Sequence, residues 1–237
     1  MDKFSYFRRP HRLPAVNERA RIHLPPVAVL GLGRFGMGVS LELAKHGVEV
    51  LGVDGDEKMV QECAPLLTQT VTADCTDMET LKQLGIDQMQ YVVLGIGTDL
   101  ESSILVASNL VDLEIPHIWA KADSDAHAKI LSRMGIDHVV RPELDTGRRV
   151  AHLLGGSFQD FTAFAEDLGM VKMPPPRALV DSNCDGDSLM GKYGLYVASI
   201  HYEDDGWGPW DEERRFNGAD MVVFAGALAS LEAFARR

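Results

Sequence analysis

Three glycines, Gly31, Gly33 and Gly36, close an apolar run and open a helix-prone one in "VAVLGLGRFGMG", residues 27–38. Where a strand turns into a helix, this spacing does defined chemistry. Gly31 permits the tight turn, Gly33 lets a diphosphate approach the backbone, and Gly36 lets the helix pack on the strand. The helix N-terminus then offers unpaired N–H groups and partial positive charge to phosphate oxygens. Arg34 stands inside this loop. A guanidinium there gives bidentate, charge-assisted contacts and suits ADP or ATP as well as NAD. Asp54 ends the next apolar run, 18 residues beyond Gly36. A carboxylate at that point accepts hydrogen bonds from ribose hydroxyls and repels a 2′-phosphate, which disfavours NADP. Asp56, two residues on, suits a helix cap, and Asp74 fits a ligand contact and a helix cap equally.

Groups that would turn a bound nucleotide over are missing from the pattern. There is no Tyr-x-x-x-Lys pair, no clear His–Asp couple, no Cys nucleophile with a nearby base to activate it and no G-x-x-x-x-G-K-[ST] loop. His201, in "SIHYEDDG", is the best candidate for proton transfer, and a histidine at a strand end is more often a surface or core residue. The nucleotide therefore reads as something sensed. An NAD-linked oxidoreductase is the alternative, and it needs a titratable pair beside the nicotinamide.

The elements that must position these residues alternate regularly from Val27 to about Arg141. Short apolar runs ("VAVLG", "VEVLGVD", "QTVTAD", "YVVLGIG", "HIWAKA", "DHVV") are separated by amphipathic stretches. Strands buried on both faces read as continuous apolar runs. Six of them with intervening helices predict an α/β fold, a Rossmann-like doubly wound parallel sheet over 27–141. Residues 142–156 read as a linking helix and 157–237 as a small α+β domain. In the latter, "SFQDFTAFAEDLG" spaces its aromatics near four, "MPPPR" excludes regular helix, and "LYVASIHYE" and "ADMVVFAG" read as strands before a final helix. Residues 1–26 read as a flexible basic arm, with six Lys/Arg against two acids in the first 24.

Composition narrows the classes further. The net charge of −12 argues against a general nucleic-acid binder. No apolar run reaches the ~20 residues of a membrane span, and no apolar segment follows the basic N-terminus as a secretory signal requires; the expected location is cytoplasmic. Cys63, Cys75 and Cys184 are odd in number and far apart, which is neither a disulfide framework nor a metal-ligand spacing.

"GLGRFG", "VDGDEK", "TADCTD", "LKQLGI", "YVVLGIGTDLESSILVASNL", "IWAKADSDAHAKIL" and "GIDHVVRPE" together closely resemble the RCK (KTN) proteins, cytosolic subunits of the bacterial Trk and Ktr potassium uptake systems. The resemblance runs from about Val27 to Leu154, and the last 80 residues resemble the family's TrkA-C module more weakly. It implies a regulatory subunit that is not an enzyme. Such a subunit forms a homodimer and then an octameric ring at the inner face of the cell membrane, beneath a potassium-translocating subunit of the KtrB/TrkH type. ATP, ADP or NAD(H) would occupy the Rossmann cleft and gate the pore. By this resemblance the loop Gly31, Gly33, Arg34, Phe35 and Gly36 holds phosphates, and Asp54, Gly55 and Asp56 surround the ribose. Asp74 and Cys75 flank adenine. Gly97, Thr98, Lys121 and Asp123 line the cleft, and His127 reaches the ligand. Glu143 stands near the terminal phosphate, where it would share Mg2+ with ATP. A bare helix-start acid accounts for Glu143 as well, and a solvated lysine for Lys121. Cyclic di-AMP binds the TrkA-C module of some relatives, and no site for it is legible in this chain.

Overall fold

The structure, a computed structural model, describes residues 22–155, 157–180, 185–203, 206–211, 213 and 215–236. Most of the basic arm and Cys184 lie outside the described residues. The chain divides into two compact units, with the boundary between Glu143 and Leu144.

The first unit is built on six strands: β1 (Val27–Leu30), β2 (Val50–Asp54), β3 (Gln69–Thr72), β4 (Tyr91–Leu94), β5 (His117–Lys121) and β6 (His138–Val140). They form one sheet in the order β3-β2-β1-β4-β5-β6, and every pairing is parallel. Successive β1 residues serve opposite faces, as the two-residue period of a strand requires. Val27 and Val29 pack with Leu43 of α1 (Arg34–Lys45) and Val60 of α2 (Glu57–Cys63). Ala28 and Leu30 pack with Val106 and Leu110 of α4 (Leu100–Asp112) and Leu131 of α5 (Asp125–Arg133). All four β1 residues are buried, which is why that strand shows no polar alternation. The short α3 (Met78–Gln83) lies between β3 and β4. The strand order reverses between β1 and β4. In open parallel sheets ligands bind outside the carboxyl ends of the strands at such a switch point.

Pro142 begins α6 (Pro142–Leu154), a first-turn position that needs no backbone N–H. The second unit is a five-stranded antiparallel sheet in the order β10-β9-β11-β8-β7, with α7 (Gly186–Tyr193) and α8 (Leu228–Ala235). Its strands are β7 (Asp160–Ala163), β8 (Leu168–Met173), β9 (Leu195–Tyr202), β10 (Gly206–Gly208) and β11 (Met221–Ala227). Phe161, Val171, Leu195, Phe224 and Phe234 form its core. His152 of α6 stacks on Phe161 with ring centroids 4.0 Å apart and pairs with Glu232 at 2.9 Å. "SFQDFTAFAEDLG" makes no helix. Its aromatics stand three residues apart, not four: Phe158 and Phe161 are buried in the core, and Phe164 is exposed at the β7–β8 turn.

Candidate nucleotide site

The first unit carries a cavity of about 830 Å³ at the carboxyl ends of β1, β2, β4 and β5, within the size range of cofactor clefts. Gly31, Gly33, Arg34 and Phe35 form the wall at the start of α1. The backbones there are pressed together. A Cβ on Gly36 would stand 1.9 Å from the Gly31 carbonyl oxygen, and one on Gly95 would stand 2.6 Å from the same atom. Gly31 itself has φ +94°, in the left-handed region.

α1 also differs from the helices around it. Side chains cap α2 (Asp56), α3 (Asp77), α4 (Asp99) and α5 (Ser124), each accepting a backbone N–H of the first turn. The α1 N-cap is Gly33, which has no side-chain cap, and the first turn holds no acid. Its backbone donors and dipole therefore face the cavity uncompensated, which suits an anion. Arg34 adds a cation at the same wall.

Asp54 lines the cavity and braces it. Its Oδ2 accepts the Leu32 N–H at 2.6 Å and its Oδ1 accepts the Asp56 N–H at 2.9 Å. Each carboxylate oxygen retains a lone pair for a hydroxyl donor. Asp74 likewise turns one oxygen to its own loop, where Oδ1 accepts from Thr76 N and Thr76 Oγ1. Cys75 is buried beside it; burial, then the Asp54 and Asp74 charges, push its thiol up to about 12.

Lys121, at the end of β5, meets Asp123 Oδ1 at 2.9 Å and Glu143 Oε1 at 3.0 Å. Burial pulls the ammonium pKa down, and the hydrogen bonds it donates to Asp123 and Glu143, with their charges, outweigh it, so it stands above the ordinary lysine range. The Lys121 hydrogen bond holds Glu143 below the usual carboxylate range.

Of the residues expected from sequence, Gly31, Gly33, Arg34, Phe35, Asp54, Gly55, Asp74, Cys75, Gly97, Thr98 and Lys121 come together on the wall. Five stand off it. Gly36 lies behind Gly31 as a packing glycine. Asp56 is turned to Lys58 N, 2.9 Å away, as the α2 cap. Asp123 and Glu143 reach the cavity through Lys121. His127 is 2% exposed, its Nδ1 accepting the Asp123 N–H over 3.4 Å. Burial lowers its pKa against the opposing Asp123 charge. Among the described residues no cluster of three metal-ligating side chains exists, at Glu143 or elsewhere.

Sequence reasoning missed Met59, Ala73, Thr76, Gly95, Ile96, Asp99 and Ser102 on the wall. Two signals were available. Gly95 and Gly97 repeat a G-x-G after an apolar run, and Asp99 three residues before Ser102 marks a capped helix start, with Asp99 Oδ1 accepting Ser102 N at 3.1 Å.

Strand order, switch-point cleft and uncapped α1 define a Rossmann-type nucleotide-binding unit, and the TrkA-N domain model matches residues 27–142. The Ktr system potassium uptake protein C of Bacillus subtilis (strain 168) is 35% identical over 174 residues, 73% of this chain and 79% of that protein. The Ktr system potassium uptake protein A of Vibrio alginolyticus is 37% identical over 166 residues, 70% of this chain and 71% of that protein. The chain belongs to this Ktr/TrkA family of potassium uptake proteins. Among solved structures the GsuK RCK domain shares the fold, with a TM-score of 0.60 and 15% identity over 96% of this chain; the chain spans 50% of that one. The GsuK channel bound to NAD has a TM-score of 0.51 and 19% identity over 91% of this chain and 38% of that one.

Proposed function

We propose that this chain is a regulatory subunit that binds an adenine nucleotide at the start of α1 and passes its binding state to a membrane potassium pathway formed by another polypeptide. The observation that carries the reading is the uncapped α1 N-terminus beside Arg34, facing Asp54 across one cavity. Phosphates lie at the helix start and Arg34, ribose hydroxyls donate to Asp54, and the base enters the slot between Met59 and the Ala73–Thr76 turn. No helix among the described residues is long and apolar enough to cross a membrane, which fits a pore made elsewhere. The Ktr relatives, potassium uptake proteins by name, supply the transported ion of the reading. The working assembly is a homodimer within an octameric ring at the inner face of the membrane, against a KtrB/TrkH-type subunit.

The cleft suits reading a ligand better than converting it. Among the described residues no histidine lines it, its Cys75 thiol stays protonated, and the Lys121 ammonium is paired with two carboxylates. Mg2+ fits only in company with ATP. Glu143 supplies one carboxylate, and the rest of the shell would be phosphate oxygens and water, a common arrangement for that ion.

Calorimetry of the purified chain with ATP, ADP, NAD+, NADH and cyclic di-AMP, each with and without Mg2+, tests this. ATP, ADP, NAD+ and NADH bind, and Arg34→Ala weakens each of these four at least about tenfold, the loss of one charge-assisted contact pair. Equal heats for the variant and the unaltered chain would refute the phosphate placement.

A further inference from the structure

Lys121 serves two partners besides the cavity. An ammonium has three protons, and Asp123 Oδ1 and Glu143 Oε1 engage two of them. The side chains differ in exposure: 10% for Lys121, 32% for Asp123 and 60% for Glu143. Glu143 is the second residue of α6, so its ion pair ties the first turn of that helix to the end of β5.

We propose that the Lys121–Glu143 ion pair is a latch: an anionic ligand in the cleft draws the ammonium away from Glu143 and frees the first turn of α6. This rests on the nucleotide reading above and names how that site would be read out. A phosphate oxygen reaching the third Lys121 proton brings a third negative group to one ammonium. Repulsion is then relieved by the carboxylate that rehydrates at least cost. Asp123 is the worse candidate, because it is packed against Gly97, where a Cβ would meet its Oδ1 at 2.5 Å. Glu143 is exposed and can turn to water. Arg141, one residue before α6, is separately paired with Asp125, so the freed segment begins at the helix itself. Losing Glu143's fixed position also loosens an acid that complements the helix dipole.

The test is hydrogen exchange by mass spectrometry on the full chain, with ADP as the probe and EDTA present. In the unaltered chain, bound ADP speeds exchange of amides 146–149, which close the first turns of α6, by about two- to fivefold, the span of one exposed ion pair. In Glu143→Gln those amides exchange fast before ADP is added and do not respond to it, and ADP binds about two- to fivefold tighter. Asp145→Asn, which removes the same charge from the same turn, keeps the ADP response. Bound ADP that leaves amides 146–149 unchanged in the unaltered chain overturns the latch alone, as does a Glu143→Gln chain that still responds. A chain that binds no nucleotide at all overturns the reading beneath it as well.

Discussion

Gly36 has no room for a methyl group: its Cβ would stand 1.9 Å from the Gly31 carbonyl oxygen, a backbone atom. Gly36→Ala therefore forces α1 off the sheet, at a cost above the about 1–3 kcal/mol of ordinary overpacking, and the denaturant midpoint of the first unit drops accordingly. Asp54 has a double role, bracing Leu32 N and Asp56 N while facing the cavity. An amide keeps one acceptor oxygen and turns its NH2 on the second N–H. Asp54→Asn thus weakens nucleotides by loosening the loop as well as by losing ribose contacts. It still eases entry of NADP, because the 2′-phosphate meets no charge; competition of ADP by NADP in calorimetry measures that. His127 gives a pH dependence with a fixed sign. Its folded pKa lies below the unfolded value near 6.5. The stability it contributes is present above that value and is lost as pH falls toward the folded pKa, at up to about 1.4 kcal/mol per pH unit. Thermal melts between pH 5 and 7.5 are expected to fall more steeply for the unaltered chain than for His127→Gln. These three roles differ in how far a sequence reveals them. The glycines and Asp54 are legible because their spacing along the chain is their geometry. The bond of Asp54 to Leu32 is not, since it crosses 22 residues and exists only once β1 and β2 pair.

Among elements, α1 stands apart because its neighbours spend a side chain on their first turn and it does not. Ser124→Ala removes the α5 cap, whose Oγ accepts His127 N at 3.1 Å, and costs about 1 kcal/mol of stability. Nucleotide affinity is unchanged, because Ser124 is not on the wall. An affinity loss equal to that of Arg34→Ala would place α5 in the site. The strands β1, β2 and β4 are legible because both their faces are buried and the run is unbroken. The β7–β8 hairpin is not, because Phe158, Phe161 and Phe164 recur every third residue before the turn and imitate a helical period. The contact of Lys121 with Glu143 is also hidden: it depends on β6 lying beside β5 before α6 begins.

At the scale of the molecule, two units with separate cores imply two cooperative transitions. Every cavity-lining residue falls between Gly31 and Lys121, so a ligand stabilises the first unit directly. At a hundred times its Kd, ADP adds about 2.7 kcal/mol to that unit. Scanning calorimetry is expected to show one transition moving upward and the other standing still. A single transition that moves as a whole would mean the units melt as one.

Cys75 lies in the slot assigned to the base, and with its thiol pushed up to about 12 it is almost wholly protonated near neutral pH, whereas the thiolate is the reactive form. Peroxide or an electrophile passing through the cell finds almost nothing there to attack. Oxidants therefore have little purchase on Cys75 itself, and on the proposed reading a redox signal reaches this slot as a change in which small molecule occupies it.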